Sequence, residues 1–225
     1  MDSHNMRATK TNTAIRQDQI ARSALALISR NGFHRLSMAG VARTVGVVPS
    51  GIYRHYRNKD EVLEAVLELI SRRLLGNVAA AKAETSDALE RLERVLMAHV
   101  KLIRSDVPIP RVVFSEVVFT GHPRHQKGVH RMFQEYLGQV ADIIREGQRA
   151  GRLRVGLAPD TLSVMFLGLV QPAAILSLMS GGEFDVAGHA ERAWQIFSEM
   201  IRADKSRPMS TPTKAATRGR ARMQQ

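Results

Sequence analysis

Residues 36–63 read LSMAGVARTVGVVPSGIYRHYRNKDEVL, and this stretch decides the fold. Val41 and Val45 lie four residues apart, which makes one side of a short helix apolar. Gly46 ends that helix, because only glycine takes the left-handed backbone of a tight turn at little cost. Pro49 stands where the first turn of the next helix begins. The spacing predicts two short helices joined by a tight turn, with the first supporting the second.

The remainder of the chain also favours helices. Apolar residues recur at helical spacing from Asn58 onward and over residues 16–31, 87–104, 126–150, 159–180 and 184–203. Residues 111–120 (RVVFSEVVFT) suit a strand as well as a helix, and their helical neighbours favour a short helix. Since no segment alternates cleanly between apolar and polar residues, the predicted fold is all-α.

Charge is concentrated at the two ends of the chain. The formal net charge is +12, and the residues through Lys59 include ten basic and two acidic side chains. From Asp204 onward there are six basic residues and one acidic residue, so the middle of the chain is nearly neutral. Basic ends on a neutral body indicate a polyanionic partner, with nucleic acid as the first candidate and a membrane surface as the second.

Several classes of function lack their residues. The chain has no cysteine, which excludes a disulfide framework and a thiolate metal site. It contains no GxSxG, P-loop, GxGxxG or HExxH motif, so we expect no enzyme, no catalytic residues and no cofactor. The polar N-terminus lacks the apolar core of a signal peptide, which favours a cytoplasmic protein.

The central motif resembles the TetR family of transcriptional regulators. Family positions are matched by Ala42, Gly46, Val47, Gly51, Ile52, Tyr53, His55, Tyr56, Lys59 and Asp60. The first helix fits as well, through Ile20, Ala24, Leu27, Gly32 and Phe33, so that the resemblance covers residues 16–67. Val48-Pro49 departs from the pattern, because family members often carry a serine and a small or polar residue there.

The resemblance implies a domain order and a DNA-reading surface. We expect a flexible basic arm over 1–15, a helix-turn-helix DNA-binding domain over 16–60, a helical effector-binding and dimerisation domain over 61–203, and a disordered basic tail over 204–225. Double-stranded DNA would meet Ser37, Arg43, Thr44, Pro49, Ser50, Gly51, Tyr53, Arg54, His55, Tyr56 and Lys59.

Residue chemistry distinguishes these contacts. Arg54 suits guanine O6 and N7, whereas the Tyr53 hydroxyl and the Lys59 ammonium suit phosphate. Tyr56 is expected to keep most of its ring in the core. His55 fits equally well as a buttress of the fold, a phosphate ligand or a base contact.

The resemblance further implies a homodimer on a near-palindromic operator, released by a small-molecule effector. Residues 161–182 carry no charge, which favours a buried dimer helix over a membrane span. Candidate pocket residues are Met97, Phe114, Val118, Phe133, Tyr136, Met165, Phe166 and Gln171. His99, Glu116 and Gln171 would supply polar anchors for a hydrophobic or aromatic effector.

Two alternatives remain open at this point. His122, His125 and His130 invite a metal site, but their spacing and positive neighbours favour a solvated loop, and we expect no metal. An architectural or nucleoid-associated DNA-binding protein of the same fold would need no effector. It would bind a scrambled operator about as well as the true one.

Overall fold

The computed structural model describes residues 3–105 and 108–203 of the chain. Within them lie eleven α-helices and a 3₁₀ turn at Phe33–Arg35, with a single isolated bridge between Leu153 and Arg202. The helices are α1 (Ser3–Asn31), α2 (Met38–Val45), α3 (Pro49–Tyr53), α4 (Lys59–Glu84), α5 (Ala88–Ser105), α6 (Pro108–Val113), α7 (Glu116–Thr120), α8 (Pro123–Arg149), α9 (Pro159–Gly168), α10 (Gln171–Met179) and α11 (Val186–Ile201). The all-α prediction is confirmed.

The first three helices form a small head around the predicted tight turn. The Ser37 hydroxyl caps α2 by accepting the Gly40 amide proton at 3.0 Å. Gly46 follows α2 with φ 77° and ψ 35°, in the left-handed region. The next amide, that of Val47, donates to the Ala42 carbonyl at 3.0 Å and closes the helix end. Ile52 on α3 is fully buried and fixes the second helix beneath the turn.

Helix α4 runs out of the head and into the body, which is the part of the chain formed by α5 to α11. Asn58 caps it, because its side-chain oxygen accepts the Glu61 amide proton at 3.0 Å. The buried residues of α4 extend from Val62 and Leu63 near its start to Val78 and Ala81 near its end. The helix packs against α1 on one side and against α5 and α8 on the other. One helix therefore contributes to the hydrophobic cores of both halves.

The C-terminal helices are held together by an aromatic cluster. Phe166 on α9 lies with its ring centroid 6.4 Å from that of Trp194 and 6.0 Å from that of Phe197, both on α11. The rings meet edge-on or tilted, which is the favourable geometry for aromatic pairs. α11 in turn packs against α5.

Several helix bounds differ from the sequence prediction. α1 begins at Ser3, where a flexible arm was expected, because no glycine or proline interrupts the chain before residue 31. Residues 111–120 belong to two helices, α6 and α7, separated at Phe114-Ser115. The helix predicted from 126 begins at Pro123. The predicted tail, 204–225, lies outside the described residues.

The uncharged C-terminal segment is also divided. Pro159–Met179 is, by length and composition alone, long and apolar enough to cross a membrane, with a mean hydropathy of 1.9 and a third of its best window buried. The structure breaks this segment at Leu169-Val170 into α9 and α10. Pro172 in the first turn of α10 has no amide proton to continue the α9 hydrogen-bond ladder, which accounts for the break.

We expect Gly46→Ala to lower the free energy of unfolding by about 1 kcal/mol, because a Cβ is strained in the left-handed region. Gly76→Ala is the matched control. Both glycines have open space where the Cβ would lie, but Gly76 is in the middle of α4 without a positive φ. The control should gain up to about 1 kcal/mol. Thermal unfolding of the two variants checks this, and an equal response to both substitutions would contradict the role of the turn.

Candidate nucleic-acid interface and regulatory cavity

Most of the predicted DNA contacts are exposed on the head. Ser37, Arg43, Thr44, Pro49, Ser50, Tyr53, Arg54 and Lys59 are all exposed, whereas Gly51, His55 and Tyr56 are partly buried. The Tyr53 side chain is 54% exposed, and the fully buried Ile52 lies beside it in sequence. The short helix α3 is therefore anchored from one side and offers its other side to solvent.

Tyr56 is mainly a core residue. Its ring packs against the hydrophobic core, and burial raises the pKa of its hydroxyl above the ordinary value. Gly51 approaches the turn closely, since a Cβ there would lie 3.6 Å from the Val47 Cβ. The contacts expected from these two positions are thus limited to the tyrosine hydroxyl and the glycine backbone.

The hydroxyls near α2 already make internal hydrogen bonds. Ser37 accepts the Gly40 amide proton, and the Thr44 hydroxyl donates to the Gly40 carbonyl at 3.0 Å. Each hydroxyl can still make a further hydrogen bond: Ser37 can donate its proton, and Thr44 can accept one through its lone pairs. Of the two, Ser37 retains the donor that a phosphate oxygen needs.

Lys59 is fixed at the beginning of α4. Its ammonium group lies 5.0 Å from the centroid of the Phe33 ring, in cation–π geometry. The Arg57 amide donates to the Glu61 carboxylate at 2.7 Å, which orders the turn that precedes the helix. The lysine charge is therefore held at the edge of the head by packing as well as by its place in the sequence.

The head and body meet at a buried histidine that the sequence analysis assigned to a solvated loop. That prediction is wrong, because His122 caps α8 and Pro123 is in its first turn. His125 is 1% exposed, and its Nε2 lies 3.3 Å from the Asp60 carbonyl at the start of α4. Its Nδ1 is buried with no hydrogen-bond partner. No set of three metal-ligating side chains occurs among the described residues.

Next to this contact, an open cleft of about 650 Å³ lies between side chains of α4 and α8. Glu61, Glu64 and Glu68 line its α4 wall, Arg124, Lys127 and Arg131 line its α8 wall, and His55 and Tyr56 of the head lie at its end. Arg124 and Glu64 form an ion pair across it, at 3.9 Å. This cleft was not predicted, although the two charged rows at helical spacing are visible in the sequence.

A small, mostly apolar cavity, half-open to solvent, lies in the body, with a volume of about 30 Å³. Side chains of α4, α5, α6, α8 and α10 converge on it, together with Phe114, which follows α6. Among the predicted pocket residues, Phe114, Phe133 and Gln171 line this cavity. His99 lines it as well, whereas Glu116 is exposed at the start of α7 and does not.

The other predicted pocket residues lie elsewhere. Phe166 belongs to the aromatic cluster, Val118 is buried on α7, and Met165 is 44% exposed. Met97 lines a separate surface groove with residues of α11. Tyr136 is fully buried and reaches the cavity only through its partner His99. Apolar character alone did not distinguish cavity residues from ordinary core.

His99 and Tyr136 form a buried polar pair beside the cavity. The His99 Nδ1 lies 3.3 Å from the Tyr136 hydroxyl oxygen, and the rings meet edge-on with centroids 5.5 Å apart. Burial lowers the pKa of His99 to about 4 and raises that of Tyr136. At neutral pH both groups are uncharged, so they offer hydrogen bonds rather than charge.

This pair predicts a dependence of stability on pH. Because the pKa of His99 in the folded protein is below the unfolded value, the unfolded state alone binds the proton as the pH falls from about 6.5 towards 4. We expect a loss of about 2 kcal/mol from this residue at pH 5. Chemical denaturation at pH 7.5 and pH 5 measures it. His99→Gln should flatten the slope, the exposed His34→Gln should leave it unchanged, and equal slopes for both would refute the assignment.

Comparison with known proteins agrees with this architecture. Residues 20–66 match the family described as bacterial regulatory proteins, tetR family, and residues 85–175 match the tetracyclin repressor-like C-terminal domain. The nucleoid occlusion factor SlmA of Vibrio vulnificus is 22% identical over 187 residues, which is 83% of this chain and 95% of that protein.

Two solved structures share the fold. FadR from Bacillus subtilis, in complex with stearoyl-CoA, superimposes with a TM-score of 0.70 and 20% identity over 82% of this chain and 98% of that one. A transcriptional regulator from Saccharomonospora viridis, in complex with choline, has a TM-score of 0.73 and 21% identity over 85% and 100%. The two family models together cover the head and most of the body, and the chain belongs to the TetR family of DNA-binding transcription regulators.

Proposed function

We propose that this chain is a repressor that binds a near-palindromic operator as a homodimer and is released by a small-molecule effector. The proposal rests on α4, which extends from the head into the body. It begins at Lys59, the proposed DNA contact, and its middle residues Ile70 and Leu74 line the apolar cavity. A cytoplasmic location follows from the proposed DNA target.

The coupling between the two sites has a structural basis. α8 lines the cavity through Met132 and Phe133 and contacts the beginning of α4 through His125. A ligand that pushes α4 and α8 apart at the cavity would also shift the contact between His125 and the Asp60 carbonyl. The ligand changes DNA affinity only by its differential affinity for the two arrangements.

An exposed apolar face supports the dimer. Val164, Met165, Ile175, Leu176, Met179 and Ile196 on α9, α10 and α11 are each between 42% and 79% exposed. Exposed apolar side chains on neighbouring helices are typical of protein interaction sites. Pairing through it would place two heads on one face of the duplex, about 34–36 Å apart.

A nucleoid-associated role is the second candidate, because one relative, from Vibrio vulnificus, is a nucleoid occlusion factor. The structural neighbours bind stearoyl-CoA and choline, which differ in charge and size, so they indicate no single effector class.

Selection of DNA sequences by the purified protein, followed by a search for ligands that release the selected site, separates the two candidates. A nucleoid-associated protein would select no operator and respond to no small molecule.

Substitutions in the head should separate base reading from backbone binding. Arg54→Ala should cost about 1–3 kcal/mol at particular base pairs and relax the choice of base there. Lys59→Ala and Tyr53→Ala should weaken binding to all sequences, and the lysine variant should reduce the salt slope by about one. Fluorescence anisotropy with the selected site and its single-base variants, at several salt concentrations, measures both effects.

Arg149→Ala is the control for the loss of one positive charge, because Arg149 is exposed at the far end of α8. It should leave DNA affinity nearly unchanged. An equal loss on every sequence for Arg54→Ala would show that Arg54 binds the backbone and does not read bases.

The dimer face is tested by a charged substitution. Ile196→Glu on α11 should give a monomer in sedimentation equilibrium and weaken operator binding at least tenfold, because two heads no longer act together. Val155→Glu is the matched control, since both side chains are 73% exposed and Val155 lies in the loop before α9. A stable Ile196→Glu dimer would place the interface elsewhere.

A further inference from the structure

The lining of the internal cavity is almost wholly apolar. Its only polar side chains are His99 and Gln171, and no charged side chain of the described residues lines it. The Tyr136 hydroxyl lies behind His99, at 3.3 Å from its Nδ1. The polar groups that a ligand can meet are therefore the His99 imidazole and the Gln171 amide, and the Tyr136 hydroxyl contacts the imidazole from behind.

A charged ligand group would find no counter-ion in this cavity. His99 does not supply one, because burial lowers its pKa to about 4 and keeps it neutral at physiological pH. An ion taken out of water needs an opposite charge and several hydrogen bonds to offset its desolvation. A neutral hydroxyl, carbonyl or amide needs only one or two hydrogen bonds, which this lining offers.

The surface groove next to the cavity shows the same balance of charge. It has a volume of about 440 Å³ and shares Ile103 and Pro110 with the cavity wall. Its charged side chains are two basic and two acidic, namely Arg104, Arg111, Glu183 and Asp185. The formal charges therefore cancel in this groove, and Asp185 is also engaged as the cap of α11, where it accepts the Gly188 amide proton.

The groove and the cavity share part of their walls. Ile103 ends the apolar face of α5, and Pro110 belongs to α6, a helix of only six residues. The cavity itself is large enough for a single water molecule, whereas sites for organic ligands have volumes of about 300–1,000 Å³. A ligand must therefore displace part of the lining. Among the helices that line the cavity, α6 is the shortest.

We infer that the effector of this chain is an uncharged, largely apolar molecule with a hydrogen-bonding group, which enters between Ile103 and Pro110 and meets the His99–Tyr136 pair. The inference rests on the proposed function and specifies its effector class. A long-chain alcohol represents the class. A carboxylate and a quaternary ammonium of the same chain represent the excluded anions and cations.

The test compares 1-decanol, decanoate and decyltrimethylammonium below their micelle concentrations, by isothermal titration calorimetry with the full chain. We expect 1-decanol to bind at least about 100-fold more tightly than either ion. His99→Phe should weaken the alcohol by about tenfold, because it removes the imidazole that lines the cavity and can hydrogen-bond the hydroxyl. Comparable binding of either ion, or no binding of the alcohol, overturns the inference.

A second pair of variants shows where the probe binds. Phe133→Trp enlarges a half-buried ring in the cavity wall and should abolish binding of 1-decanol. Phe119→Trp makes the same change on α7, where the side chain is 52% exposed, and should bind as the parent does. Circular dichroism confirms that both variants fold. Unchanged binding in Phe133→Trp would overturn the assignment of the cavity.

Operator affinity is measured on the same samples, so that the two proposals fail separately. Binding of 1-decanol without release of DNA would refute the repressor mechanism and retain the effector class. Release of DNA by decanoate or decyltrimethylammonium, with no response to the alcohol, would refute the effector class and retain the mechanism.

Discussion

The architecture depends on the burial of α4 at both of its ends. Val62 and Leu63 are buried at the beginning of α4, where it packs against α1, whereas Leu74 and Val78 belong to the core of the body. A helix of this length spans about 39 Å and transmits movement as a rigid element. Because its buried residues extend along its length, neither half can repack without changing the contacts of the other. The head is therefore oriented by the body through one helix and not through a flexible linker.

The junction beside α4 is less completely satisfied than the cores that it joins. His125 gives one ring nitrogen to the Asp60 carbonyl and keeps the other buried without a partner. Next to it, opposed acidic and basic rows face each other across an open cleft and are joined by one long ion pair. An unsatisfied buried polar atom costs free energy, and exposed ion pairs return little of it. The polar contacts at this junction are thus weak relative to the apolar packing of α4, so a change of head orientation would break few strong polar interactions.

The sequence predicted the parts of the fold that depend on local chemistry. Gly46, Pro49 and Ser37 each act through the backbone of their own turn, so the helix-turn-helix and its exposed edge could be derived from residue types and spacing. The cavity could not, because Phe133 and Phe166 are both apolar residues on amphipathic helices, and only the packing of distant helices decides which one meets a void. The role of His125 was hidden for the same reason, since its partner is 65 residues away.

The small size of the cavity determines how an effector can act. Because the cavity is small, any ligand must first open a space that apolar side chains fill. That opening reduces the apparent affinity by the population of the open state. The same cost is what couples the ligand to DNA, because a ligand fitting a preformed void would leave α4 and α8 where they are. Close packing around His99 is therefore a condition for regulation, and a variant that enlarges the cavity should bind its ligand more tightly while releasing DNA less completely.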